Sequence, residues 1–138
     1  MDTIIAKEPA LKYYPRMMPA AYLEWERMQP EKHEYFDGEI IAMSGASLKH
    51  NYIYSNLFVP IGAHLQSGPC GVFGSDLRVE IKAGNAYCYP DITIVCNEPK
   101  MADEAQDMII NPTVIIEILS PSTAYYDTMR KKFFYMQL

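Results

Sequence analysis

Residues 72–96 read VFGSDLRVEIKAGNAYCYPDITIVC, and the architecture depends on how this stretch pairs with itself. Two strand-like runs, Val72–Lys82 and Ala86–Cys96, are separated only by Ala83-Gly84-Asn85. A connection that short joins antiparallel neighbours, because a parallel return needs a crossover of a dozen or more residues. Pro90 has no N–H to donate to a ladder, so the second run should show an edge, a bulge or a fresh strand start there.

Outward from this hairpin, periodicity defines the neighbouring elements. Ser47–Gln66 predicts a helix, with Ser47 as N-cap and Ile53, Leu57, Ile61 and Leu65 four apart on one side. Pro60 conflicts with that pattern and should kink or split the helix; Gly68-Pro69 ends the segment. Further upstream, Asp37-Gly38 lies between two short strand-like runs and suits a two-residue turn with positive φ at both positions. Pro19–Met28 predicts a short helix opened by proline, and residues 1–18 an extended arm. Downstream, Asn97–Asp107 is loop or partial helix. Ile109–Ser120 contains a third strand whose apolar run, Val114–Leu119, predicts burial on both faces. Ser122–Leu138 predicts a closing amphipathic helix. The sum is an α/β arrangement with a mixed (α+β) sheet: a helix-strand-strand-strand-helix core after an N-terminal helix and β-hairpin.

A chain of 138 residues, 49% hydrophobic and 21% charged, is sized and composed for one globular domain, here residues 19–138. No apolar run approaches the ~20 residues of a membrane span. No secretion signal opens the chain. Cys70, Cys88 and Cys96 form no metal-binding spacing and are expected as reduced thiols, which fits a cytoplasmic location. A net charge of −5 argues against indiscriminate attachment to nucleic acid, which is driven by lysine and arginine. It does not exclude chemistry on nucleic acid, because carboxylates that hold a cation are part of that negative count.

Two acids break the local pattern. Glu117 sits within an apolar strand, where an ionised carboxylate is costly unless paired or metal-bound. Asp91 follows Pro90 at a strand start, and Asp76 falls almost opposite it if the hairpin turns near Gly84. Converging carboxylates repel unless a cation or proton lies between them. Oxygen ligands of this kind suit Mg²⁺ or Mn²⁺, and a cation so placed can serve phosphodiester hydrolysis. Blander readings stand beside this one. A buried strand glutamate commonly pairs with Arg or Lys; Asp76 can belong to a surface ladder with Arg78, Glu80 and Lys82. Asp127 and Lys131 stand at i,i+4, which allows a simple helical ion pair of about 0.3–0.5 kcal/mol. His50, at a helix start, can be exposed or capping. The residues alone leave the choice open.

The blocks Tyr89-Pro90-Asp91-Ile92, Ile116-Glu117-Ile118-Leu119-Ser120-Pro121-Ser122-Thr123 and Tyr126-Asp127 with Lys131 and Tyr135 form a recognisable pattern. So does Glu34-Tyr35-Phe36-Asp37-Gly38-Glu39-Ile40 with Met43-Ser44 and His50-Asn51. Together, over roughly residues 20–138, they resemble the "putative restriction endonuclease" family of the PD-(D/E)xK nuclease superfamily. That resemblance implies a restriction-endonuclease-like core in which Asp91 and Glu117 hold a divalent metal, Mg²⁺ or Mn²⁺. The superfamily lysine, usually two residues after the glutamate, is replaced here by Leu119, and the role maps to Lys131 on the following helix. Lys131 would orient or activate the attacking water or steady phosphorane charge. Asp76, His50 and Glu34 are secondary candidates near the site. Family members usually continue past the last helix into further strands. Stopping at Leu138 therefore implies a shortened sheet and an exposed edge that a homodimer would cover. The function implied is metal-dependent endonucleolytic cleavage of DNA. The alternatives are a catalytically silent relative serving as a binding or assembly module, and an enzyme of other chemistry built on the same acids.

Overall fold

The computed structural model describes residues 13–43, 45–120 and 124–138, with backbone alone for 124–127. Helix α1 spans Pro19–Glu26, and its first position is proline, as the fixed φ of that residue favours. Strands β1 (His33–Phe36) and β2 (Glu39–Ala42) follow as an antiparallel hairpin. Its turn residues Asp37 and Gly38 both adopt positive φ, 45° and 95°. Helix α2 (Leu48–Leu65) is capped by the Ser47 side chain, which accepts from the His50 N–H at 3.1 Å. It runs through Pro60 as one helix, so of the expected kink or split the split does not occur. Both Pro60 and Asn56, whose carbonyl loses its helical donor, lie on the exposed side, where water can replace the missing bond.

Residues 72–96 form a hairpin in two parts. Strands β3 (Cys70–Phe73) and β6 (Ile92–Cys96) pair antiparallel in one sheet, whereas β4 (Arg78–Ile81) and β5 (Ala86–Cys88) pair antiparallel in another. Both runs are therefore broken, the first against expectation and the second at Pro90, where the sequence predicts a break. One break is a turn at Gly74–Leu77, closed by the Leu77 N–H on the Gly74 carbonyl, and the other is Pro90, which cannot donate. Across the break the pairing slips by one residue: Val79 faces Cys88, but Phe73 faces Thr93. The first sheet has the order β2-β1-β5-β4-β7, where β7 (Met108–Ile109) runs parallel to β4; the second has the order β3-β6-β8, where β8 is Val114–Ile116.

Strand β8 (Val114–Ile116) corrects a further expectation. The apolar run after Ile109 does not form one strand buried on both faces. Of the run Val114–Leu119 only Val114–Ile116 forms a strand, and β8 is an edge strand with Val114 exposed. Hydrophobicity alone cannot separate a central strand from an edge whose outer face packs loosely. Helix α3 closes the chain at Ala124–Tyr135. The expected start at Ser122 and the proposed Asp127–Lys131 side-chain pair fall outside the described residues.

Val79, Ile81, Cys88, Val95 and Ile109 form the main core with Phe36 and Phe134, and each buried aliphatic side chain there contributes roughly 1.5–3 kcal/mol. Phe134 anchors α3 on Phe36 at a ring separation of 5.2 Å. A second cluster centres on Tyr22, Tyr35 and Tyr87. Beneath α1, buried Glu26 binds His33 (Nδ1 to Oε2, 2.9 Å) and accepts from the Tyr89 hydroxyl at 3.0 Å. Arg78 in turn donates to Tyr89 and Asp107.

The cysteines also depart from expectation. Cys70 and Cys96 are register partners on β3 and β6 and are joined by a disulfide, with Cα atoms 3.9 Å apart. Their pairing follows from a strand register that no local spacing encodes. Only Cys88 behaves as read, a buried free thiol. Among the described residues no helix is long and apolar enough to cross a membrane.

Candidate active site

Antiparallel pairing of β6 with β8 sets Ile92 opposite Ile116 and Thr93 opposite Ile115. Continued by one residue, the same register sets Asp91 opposite Glu117 on one face of the sheet, since directly opposed residues point the same way. Main-chain contact marks this closeness: the Ile118 N–H donates to Asp91 Oδ2 at 2.7 Å. Because Pro90 ends the ladder of β5, Asp91 emerges where the two sheets part.

Glu117 is mostly buried, and helix α3 reaches it with two side chains one helical turn apart. Lys131 Nζ lies 3.3 Å from Glu117 Oε1, and the Tyr135 hydroxyl donates to the same oxygen at 2.5 Å. Lys131 is shared, because its Nζ also lies 2.8 Å from Glu34 Oε1. The second Glu34 oxygen accepts from the Tyr89 N–H at 3.0 Å. Glu34 thus ties Lys131 to the segment that leads into Asp91. Of the expected residues, Glu34, Glu117 and Lys131 therefore meet in one cluster.

Asp91 and His50 form a neighbouring pair, with His50 Nε2 3.2 Å from Asp91 Oδ1. Among the described residues His50 Nδ1 is buried without a partner. Asp76 does not join them. Its carboxylate is fully exposed and pairs with Lys32 at 3.1 Å, because the chain leaves the ladder at the Gly74–Leu77 turn before reaching the position opposite Asp91. It does share a cleft of about 600 Å³ with Asp91, His50, Tyr54, Phe73 and Gln106. A second hollow of about 390 Å³, largely apolar, is lined by Ile115, Glu117, Leu119, Lys131 and Tyr135.

Electrostatics follow from this burial. Desolvation pushes the Glu117 carboxyl up to about 7 against the pull of Lys131 and Tyr135, with Glu34 and Asp91 adding repulsion. Burial alone would lower the Lys131 ammonium, but the carboxylates of Glu34 and Glu117 more than reverse this and hold it above its usual value. Burial raises the Tyr135 hydroxyl and the adjacent Cys88 thiol well above their ordinary values, so both keep their protons at neutral pH. The cluster therefore contains a permanent cation, two permanent proton donors and a carboxyl with insufficient positive charge around it.

A divalent cation fits this donor set. Both partners of Glu117 meet Oε1, and none among the described residues meets Oε2. Carboxylate oxygens are the ligands that Mg²⁺ and Mn²⁺ favour. No group of three or more His, Cys, Asp or Glu side chains is gathered for a metal among the described residues. Two carboxylates plus water is the sparse protein shell that Mg²⁺ commonly accepts. Tyr135 was given no role in the sequence reading. Its spacing of four from Lys131, which places both on one face of α3, was the available signal.

Comparison with known proteins defines the class. The fold is shared with the crystal structure of a "putative nuclease belonging to DUF820" from Anabaena variabilis, at a TM-score of 0.66 and 23% identity over 83% of this chain and 65% of that one. The chain belongs to the Uma2 family, described as "Putative restriction endonuclease", whose model matches residues 19–138. Two uncharacterized proteins of Synechocystis sp. (strain PCC 6803) are similar. The protein slr1290 is 40% identical over 124 residues, and sll1609 is 38% identical over 116. These alignments take in 90% and 84% of this chain but 64% and 66% of the relatives, so the chain spans just under two thirds of their length.

Proposed function

We propose that the chain carries the site of a divalent-metal-dependent endonuclease that hydrolyses phosphodiester bonds in DNA. The observation that carries this reading is that Asp91 and Glu117 directly flank the Ile92–Ile116 pair that ends the β6–β8 ladder, with Asp91 bound to the Ile118 N–H and Lys131 bound to Glu117. Family membership supports it. Asp91 and Glu117 would hold Mg²⁺ or Mn²⁺. When bound, such a cation polarises a phosphoryl oxygen and acidifies a bound water.

The remaining residues have roles that follow from their charge states. Glu34 and Glu117 hold the Lys131 ammonium above its usual value, so it would serve as a positive charge for the phosphoryl oxygens. Glu34 holds Lys131 against the strand, and His50 steadies Asp91. The cleft on the Asp91 side gives room for a nucleic acid strand. We also propose a homodimer: Met129, Phe133 and Met136 form an exposed apolar strip on α3 that a second copy would cover. Sedimentation of a monomer at high micromolar concentration would remove that part.

Two measurements test the assignment. Calorimetry should detect Mn²⁺ or Mg²⁺ binding to the wild-type chain and none to Asp91→Ala. Nicking of supercoiled plasmid should fall on the order of 100-fold or more in Lys131→Ala, the scale of losing one group that stabilises transition-state charge. Absence of wild-type binding at millimolar metal would favour a catalytically silent binding module. Unchanged nicking would remove Lys131 from the chemistry.

A further inference from the structure

Lys131 and Tyr135 project from the same face of α3, and both engage a single oxygen of Glu117. That convergence is asymmetric in a useful way. A carboxylate with one oxygen fixed by two donors presents the other in a defined direction, and among the described residues nothing else meets it. The tyrosine is suited to such fixation. Its ring packs against the main core beside Phe134, so the donor is held by the fold.

We infer that Tyr135 is a positioning residue: its hydroxyl locks Glu117 Oε1 and thereby leaves Oε2 as the oxygen offered to a divalent cation. The inference rests on the proposed pairing of Asp91 and Glu117 as cation ligands. Tyr135 touches neither metal nor substrate, and acts only through Glu117. Partners of metal-binding side chains in this position govern affinity as well as geometry, and losing one typically costs 10–100-fold.

The test uses Tyr135→Phe, which removes the hydroxyl and keeps the ring. Mn²⁺ titration of the whole chain by calorimetry should give about 10-fold weaker binding. Cleavage should lose kcat at saturating DNA with KM for DNA little changed. Replacing Tyr135 by 3-fluorotyrosine, which retains the donor, should restore wild-type Mn²⁺ affinity. A Tyr135→Phe chain that melts at lower temperature yet binds Mn²⁺ as wild type does would reduce the hydroxyl to a structural bond and overturn the inference. So would weak Mn²⁺ binding in the fluorotyrosine protein, which also decides the matter if the Phe variant fails to fold. A wild-type chain that binds no Mn²⁺ removes the cation reading itself; equal binding by wild type and Tyr135→Phe removes only the role of Tyr135.

Discussion

Lys131 sits 2.8 Å from Glu34 and 3.3 Å from Glu117, and three charges in so small a buried volume are tolerable only together. Desolvating each ion is expensive, and the mutual attraction offsets that cost while the set is complete. The imbalance is visible at Glu117, which burial pushes from 4.5 up to about 7. Between these values the folded chain holds a proton that the unfolded chain has released. The stability contributed by this group is therefore complete below pH 4.5 and is lost as pH rises towards 7. Glu117→Gln cannot ionise and escapes the loss. In chelator, the stability of Glu117→Gln minus that of wild type should climb between about pH 4.5 and 7 and then level off. The climb should be on the order of 3–4 kcal/mol, the span from 4.5 to about 7 at about 1.4 kcal/mol per pKa unit. Thermal melts across that range check it, and a difference that does not vary with pH would mean that Glu117 is ionised throughout.

At the scale of elements, what could be read from the sequence was what local chemistry decides. The Asp37-Gly38 turn, the Ser47 cap and the break at Pro90 each depend on one or two residues, and each is where the sequence places it. Partition of residues 72–96 between two sheets was not legible, because β3–β6 and β4–β5 have nearly the same pairing and differ only by a one-residue slip. The site divides the same way. Glu117 and Asp91 were conspicuous as acids in strands, whereas the Glu34–Lys131 contact joins elements far apart in the chain and carries no local sign. The Cys70–Cys96 bond belongs to this second kind, and it staples edge strand β3 to β6. With a sequence separation of 26, closing that loop is worth about 3 kcal/mol in the chain-entropy picture. For a domain of this size the equivalent is about 10 °C in Tm. Dithiothreitol should lower the Tm of air-oxidised wild type by about that amount and leave Cys70→Ser unmoved. Alkylation of the unfolded, unreduced chain should label Cys88 alone; labelling of all three cysteines would show the pair open, the state a reducing cytoplasm favours.

Over the whole molecule, the candidate site lies at the seam between the sheets, where β5 ends and β6 begins, and its surroundings are electrostatically lean. The chain carries a net charge of −5. Of the three consecutive cations on α3, Arg130 is paired with Glu39 at 2.6 Å and Lys131 with two carboxylates; only Lys132 has no carboxylate partner among the described residues. The cleft beside Asp91 also bears Asp76 and Asp107, and the cations beside them, Lys32, Arg27 and Arg78, are already paired with those acids. Such a surface repels DNA until a divalent cation offsets the acids at its centre, so metal and nucleic acid should bind with positive coupling. Fluorescence anisotropy with duplex DNA should therefore find no binding in chelator at about 10 μM protein, a range that basic non-specific binders reach easily. Addition of Ca²⁺ as a surrogate cation for Mg²⁺ should produce binding. The slope of log K against log salt should stay shallower than about −3, since each neutralised phosphate contributes about −0.9 and at most three helix cations are near. Strong binding in chelator, or a slope several times steeper, would mean that DNA is held on another surface and that the acids at the seam do not govern its capture.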